Sequence, residues 1–264
     1  MVFDGPATGL LWIRHLKPNL PASGEPFLSL IIPAFNEAHR LVASVRALRE
    51  FLAPCPHTYE VIIVVERSTD GTLDLARQLT EGDAAFRIIG HDEQRGKGHA
   101  VRTGMLAARG ELAFFMDADL STPLVEIDRF LVHFAAHPEV AVLIGNRQHA
   151  QSNIGKKQSL IRRKMGQTFN AILRTITRIE VRDTQCGFKA FRRAAREAIF
   201  ARQKVEGFAF DVELLILAER LGYRIADLPV EWSNAEGSKV HILRDSWRML
   251  RDAVRVRGMM TRKR

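Results

Sequence analysis

The chain has 264 residues, 46% of them hydrophobic and 26% charged, values that exclude a disordered or collagen-like chain and allow one large α/β domain. Its formal net charge is +9, which points to a polyanionic partner. The charge is divided, however: residues 1–150 sum to −4 and residues 151–264 to +13, so the first half is excluded as a general polyanion binder.

Residues 1–26 read as an irregular lead-in, punctuated by Pro6, Pro18, Pro21 and Pro26. Phe27 to Ile32 is a short apolar strand. Asn36 is placed to cap a helix reaching Leu52, in which Leu41, Val45 and Leu48 recur at helical spacing. Tyr59 to Val65 is a second buried strand. Asp70 caps the next helix, and Gly82 follows it. Phe86 to Ile89 is a third strand. A helix runs from Gly98 to Ala108, with Gly110 as its stop. Leu112 to Met116 is a fourth strand, ending in Asp117. Pro123 stands in the first turn of a helix reaching Ala136, and Val140 to Ile144 is a fifth strand.

Continuous apolar strands separated by helices indicate a parallel sheet covered on both faces. The first 146 residues therefore read as a Rossmann-like α/β unit, whose ligands belong at the carboxyl ends of the strands. Cys55 and Cys186 lack metal-ligand spacing and fit a reducing compartment. No apolar run approaches the ~20 residues that span a bilayer, so the expectation is a soluble or peripheral protein.

Three loops follow strands at that edge: Pro33-Ala34-Phe35-Asn36-Glu37, Glu66 to Thr72, and Asp117-Ala118-Asp119. In the last, carboxylates two residues apart share a side of the strand end and can converge. Hard oxygen ligands of this kind suit Mg²⁺ or Mn²⁺ bound together with substrate phosphates. The plain alternative is two solvated acids, one of them capping the next helix. Gly96-Lys97-Gly98 opens a helix and offers amides and an ammonium to a phosphate, although it is neither GxGxxG nor a P-loop; a flexible turn is the alternative. His133 and His137 share a helix face but have no acid between them, and read as ordinary helix residues.

Together these stretches resemble the inverting glycosyltransferases of the GT-A fold, glycosyltransferase family 2. Within it they are most similar to the polyprenyl-phosphate sugar synthases of the dolichyl-phosphate β-glucosyltransferase type. The resemblance rests on SLIIPAFNE (29–37), STDGT (68–72), RGKGHAVRTGML (95–106), FMDADLSTP (115–123), DTQCGFKAF (183–191), FAFDVELL (208–215) and EGSKV (236–240), in the family's order. It implies a GT-A domain over 27–240, with a mostly parallel sheet and helices on both faces. Pro33, Ala34, Phe35 and Glu37 would then surround base and ribose. Glu66 would contact the base, Lys97 the donor, and Asp117 the ribose and sugar. Asp119 would hold Mg²⁺ or Mn²⁺ together with Asp117, and Ser121 is a further ligand candidate. The second loop departs from the family's two acids and glycine: Val65, Glu66 and Arg67 stand there, which implies a changed turn. Phe35 replaces a common Tyr.

The resemblance implies metal-dependent, inverting transfer of a hexose from a nucleotide sugar, UDP-glucose before others, to a polyprenyl phosphate. A hydroxyl acceptor would require a general base, for which Asp183 and Asp211 are the candidates; an ionised phosphate would not. Lys189, in the GFK stretch, is placed to meet a phosphate. Asp211 reads equally as a helix cap. Lys156, Lys157, Arg162, Arg163 and Lys164 form a basic cluster, with Arg162 and Arg163 as candidate ligands of the acceptor phosphate. In residues 241–264, an apolar stripe of Leu243, Trp247, Leu250 and Val254 borders Arg244, Arg248, Arg251 and Arg255. Such a helix either lies in a membrane interface or packs on the domain. The expectation is a peripheral protein on the cytoplasmic face of a membrane, or one docked on a membrane-protein partner. A nucleic-acid-binding protein is the competing class, but no binding motif or interleaved aromatics accompany the basic clusters.

Overall fold

The computed structural model describes residues 24–147, 181 and 183–233. The basic cluster with Arg162 and Arg163, the EGSKV stretch, the lead-in and the C-terminal basic segment lie outside the described residues.

Seven strands form one sheet in the order β3-β2-β1-β4-β6-β5-β7. The strands are β1 (Leu28–Ala34), β2 (Tyr59–Val65), β3 (Phe86–Gly90), β4 (Leu112–Phe115), β5 (Val140–Asn146), β6 (Lys189–Arg192) and β7 (Arg224–Pro229). The helices are α1 (Ala38–Leu52), α2 (Thr72–Thr80), α3 (Lys97–Ala107), α4 (Glu126–Ala136), α5 (Arg193–Arg202) and α6 (Phe210–Arg220). All strands run parallel except β6, which is antiparallel to both neighbours and lies between β4 and β5.

The apolar runs become strands because both faces of the sheet are covered. Ile62, Ile63 and Val64 on β2 are fully buried, as are Leu30 and Ile31 on β1. Each such side chain contributes roughly 1.5–3 kcal/mol by leaving water. Gly104 lets α3 close on the sheet, because a Cβ there would lie 2.4 Å from Ile31 Cγ2. A phenylalanine cluster joins the inserted strand to its surroundings: Phe188 packs against Phe114 and edge-on to Phe130, and Phe191 stacks on Phe115.

Within the described residues the strands and helices expected from the sequence form, with some changed ends, whereas the expected helix over 241–264 lies outside them. β1 continues through Pro33 to Ala34. A proline is unusual in a central strand. Here the β1–β4 ladder ends at Ile31 and Phe115, and the nitrogen of residue 33 points to that vacated side, so no ladder bond is lost. Gly82 has φ +75°, as a helix-ending glycine should. Gly110 is not a helix stop. Its N–H donates to Ser29 Oγ at 2.8 Å, and a Cβ would meet that oxygen at 2.6 Å, so its smallness serves a close approach. At this amino edge Glu60 is buried among Ser29, Arg87 and Arg109. Burial alone would raise its pKa; the Arg109 amide, Ser29 and Arg87 outweigh that and hold the carboxyl below its ordinary value.

Candidate active site

The carboxyl ends of β1, β2, β3, β4 and β5 share one edge of the sheet. Because β6 is antiparallel, its beginning and the residues before it reach the same edge.

The first two loops are sewn together by side-chain-to-backbone bonds. The Asn36 amide donates to Ser68 Oγ at 3.0 Å, and the Thr69 amide donates to Asn36 Oδ1 at 2.8 Å. The Glu37 amide donates to Thr72 Oγ1, and the Ala38 amide to Asp70 Oδ2. Asp70 therefore caps two helices, since its Oδ1 also accepts the Thr72 amide. Asn36 is not the cap of α1; it takes a left-handed backbone, φ +52°, and braces the second loop. Within that loop the Ser68 hydroxyl donates to the Glu66 carbonyl at 2.8 Å. Glu37 pairs with Arg40 at 3.1 Å.

Glu66 is 2% exposed, and its carboxylate is committed to the loop before α3. Oε2 accepts the Arg95 amide at 2.5 Å and the Gly96 amide at 3.1 Å, and Oε1 lies 2.8 Å from His99 Nδ1. The same loop packs backbone to backbone on residues 205–207. A Cβ on Gly96 would stand 2.6 Å from the Glu206 carbonyl oxygen, and one on Gly98 would stand 2.6 Å from that of Val205. The His99 amide donates to Glu206 O at 3.2 Å, and Arg95 forms an ion pair with Glu206. The two glycines thus serve a tight joint between α3 and the segment leading into α6.

Lys97 leaves this joint and reaches Asp117, Nζ to Oδ1 at 2.5 Å. Burial lowers the pKa of the ammonium; the carboxylates of Asp117, Asp211 and Asp119 outweigh this and raise it, so it stays charged. Gly187 makes room for Asp117: a Cβ there would lie 2.2 Å from Oδ2. Asp119 Oδ1 accepts both the Ser121 amide, at 3.0 Å, and the Ser121 hydroxyl, at 2.7 Å, which fixes the carboxylate. Leu120 between them has φ +49°, so the loop is held in a conformation that leucine seldom adopts.

Two buried ion pairs stand beside this group. Lys189 is fully buried, donates to Cys186 O at 2.7 Å and pairs with Asp211. Asp211 lies in the first turn of α6 but makes no capping bond; its carboxylate turns to Lys189 instead. Burial raises the Asp211 pKa, against the opposing pull of Lys189 and Lys97. Asp183 is fully buried and clamped by Arg147, which donates through Nε at 2.8 Å, Nη2 at 3.0 Å and its backbone amide at 3.0 Å. Burial would raise the Asp183 pKa, but Arg147 outweighs it and keeps the carboxyl below its ordinary value. Arg147 also lies under the Trp232 ring, 5.6 Å from its centroid. The strand leading to Trp232 is tied to the metal-candidate loop, since the Ser233 amide donates to Ser121 O and the Glu231 amide to Glu126 Oε1.

The structure thus brings together Lys97, Asp117, Asp119, Ser121, Asp183, Lys189 and Asp211. It sets Pro33, Ala34, Phe35, Glu37 and Glu66 in the adjoining loops at the same edge. Sequence reasoning missed Arg147. The signal was present, because a cation directly after a buried strand stands at the ligand edge of such a sheet. It also missed that His99 engages Glu66.

A family model for glycosyl transferase family 2 matches residues 29–200. The chain belongs to that family. It is a glycosyltransferase, and the mostly parallel seven-stranded sheet is that of the GT-A fold. Among curated relatives, a dolichyl-phosphate beta-glucosyltransferase of Dictyostelium discoideum is 33% identical over 258 residues, covering 92% of this chain and 79% of the relative. The dolichyl-phosphate beta-glucosyltransferase of Drosophila melanogaster is 37% identical over 234 residues, covering 84% and 72%. Among solved structures, glucosyl-3-phosphoglycerate synthase from Mycobacterium tuberculosis, in complex with Mn²⁺, UDP and glucosyl-3-phosphoglycerate, superposes with a TM-score of 0.70 at 18% identity, covering 97% of this chain and 86% of that one. Mannosyl-3-phosphoglycerate synthase from Rubrobacter xylanophilus gives 0.64 at 19% identity, covering 90% and 75%.

Proposed function

We propose that this glycosyltransferase moves glucose from UDP-glucose to a polyprenyl phosphate of the dolichyl-phosphate class, with inversion at the anomeric carbon. The relatives at 30–37% identity carry that activity in their names.

The observation that carries the choice of acceptor is the state of the two candidate bases. Asp183 is locked to Arg147, and Asp211 is paired with a fully buried Lys189. A lipid phosphate arrives ionised and needs cations to place it rather than a carboxylate to deprotonate it. Lys189 does not meet a phosphate as the sequence suggested, because it has no exposed surface and is committed to Asp211, and Arg147 is likewise committed to Asp183; placement of that phosphate falls to the basic residues Arg162 and Arg163. A hydroxyl acceptor remains the second reading, favoured by one feature: burial holds Asp211 above the ordinary carboxyl range, as suits a proton acceptor.

The residues present fit a divalent ion. Asp117 and Asp119 offer hard carboxylate oxygens, and Ser121 already orients Asp119. These residues would hold Mg²⁺ or Mn²⁺, which supplies charge to a departing nucleoside diphosphate. Lys97 adds an ammonium beside Asp117 and steadies the same developing charge. Pro33, Ala34, Phe35 and Glu37 frame the base and ribose. Glu66 acts behind them by shaping the 95–99 loop that carries Lys97. Arg162 and Arg163 take part in binding the acceptor phosphate.

The +13 charge of residues 151–264 supports peripheral attachment to an anionic membrane on its cytoplasmic face, or docking on a membrane protein, over nucleic-acid binding. Among the described residues no helix is long and apolar enough to cross a membrane. The test is calorimetry of UDP-glucose and GDP-mannose with Mn²⁺, followed by turnover with dolichyl phosphate. Metal-dependent binding of UDP-glucose that is lost in Asp119→Ala is the expected result. Absence of metal-dependent nucleotide binding overturns the reading. Equal turnover of hydroxyl acceptors, abolished by Asp211→Ala, favours the second one.

A further inference from the structure

Glu66, His91 and His99 come from three different elements and meet at the carboxyl edge of β2 and β3. Glu66 directly follows β2, His91 directly follows β3, and His99 lies in the first turn of α3. One ligand atom from each lies within 4.8 Å of the other two. The carboxylate and the His99 ring already stand 2.8 Å apart, with exposures of 2% and 11%. The two imidazoles lie 4.5 Å apart, centroid to centroid.

We propose that these three residues form a second metal site, for a borderline transition-metal ion of the Zn²⁺ class, separate from the hard-cation site at Asp117 and Asp119.

The donor set argues for that class of ion. Two imidazoles and one carboxylate suit Zn²⁺ and its neighbours, and three protein ligands leave a fourth position for water or substrate. Mg²⁺ and Mn²⁺ favour all-oxygen sets such as Asp117 with Asp119. The surroundings are those of a held ligand set. Glu66 Oε2 is fixed by the amides of Arg95 and Gly96, which leaves Oε1 directed at His99. His91 Nε2 is 3.2 Å from Thr103 Oγ1, and its amide donates to Val65 O, so both ring and backbone are positioned.

The geometry needs a limited adjustment. Ligands at about 2.0–2.1 Å in a tetrahedron are about 3.3 Å apart. The widest separation in the cluster therefore closes by about 1.5 Å, within reach of a side-chain rotation at His91. His133 and His137 offer a contrast. Their rings lie 4.3 Å apart, His133 on α4 and His137 just past its end, but among the described residues no third ligand completes a compact set with them.

The experiment is titration of tag-free full-length protein with Zn²⁺ in excess Mg²⁺, repeated with Co²⁺ to read ligand-field absorption. One equivalent of Zn²⁺ is expected in the wild-type chain, in Asp119→Asn and in His133→Gln. In His91→Gln and His99→Gln the affinity is expected to fall by about 100-fold or more. Thermal unfolding of each variant confirms that it is folded. His91→Gln leaves the Glu66–His99 contact in place and keeps the test decisive should His99→Gln misfold. Failure of the wild-type chain to bind Zn²⁺, or binding that survives both histidine variants, overturns the proposal. Because the readout is metal binding and not turnover, it stands apart from the donor and acceptor assigned above.

Discussion

Lys189 and Asp211 form an ion pair in which the lysine, at the first position of β6, has no solvent exposure at all. A buried pair of this kind adds little net stability, but removal of one partner strands the other charge in the interior. Lys189→Met should therefore destabilise the fold by about 3–5 kcal/mol, whereas Lys189→Met combined with Asp211→Leu should recover much of that loss. Denaturant unfolding of the single and double variants measures the difference.

Gly187 tests the placement of Asp117. A Cβ there would stand 2.2 Å from the Asp117 carboxylate. Gly187→Ala should displace that carboxylate and reduce kcat/KM by about 100-fold, since displacements near 1 Å at a reacting centre cost that much. The melting temperature should change little by comparison. An unaltered kcat/KM would show that the position of Asp117 is immaterial.

Ser121 holds the Asp119 carboxylate through both its amide and its hydroxyl. Ser121→Ala removes the hydroxyl that holds Oδ1 while leaving the backbone bond from its amide. Loss of such an orienting contact should weaken Mn²⁺ binding by about 10–100-fold. Ser121→Thr should restore most of it, and Mn²⁺ titration in the presence of UDP reads both variants.

Asp128 on α4 gives a stability signature in pH. Burial pushes its carboxyl from 3.8 up to about 6. A raised acid keeps its proton longer in the folded state than in the unfolded one. Its penalty is therefore absent below about pH 4, grows as pH rises to about 6, and is constant above. Asp128→Asn should stabilise the protein by about 2–3 kcal/mol at pH 7 and remove that slope. Unfolding free energies at pH 4, 5, 6 and 7 decide it.

The strands and their end loops were legible because burial on both faces writes β1, β2, β4 and β5 as nearly continuous apolar runs, broken only near the start of β1 by Ser29 and of β2 by Glu60. The Asp117–Asp119 spacing was legible for the same reason: it directly follows such a run. The insertion of β6 was not. Its four residues begin with a lysine and end with an arginine, and α5 follows without a loop, so nothing in Lys189–Arg192 advertises a central strand. The burial of Lys189 depends on Asp211, 22 residues away. Asp211 itself carries the local signature of a cap, and only tertiary structure turns it inward. From sequence Glu66 is expected to contact the base, because no sequence pattern announces that two amides and His99 claim its carboxylate.

The joint at Gly96 and Gly98 sets how the two sides of the crevice move. It is made of main chain against main chain, with the carbonyls of Val205 and Glu206 seated where side chains would otherwise be. Such a contact has no rotamers through which to slip. Lys97, between the two glycines, and Asp211, four residues beyond Gly207, are therefore carried by a single stiff coupling. A movement that opens this edge of the sheet has to shift both at once or take place at other segments.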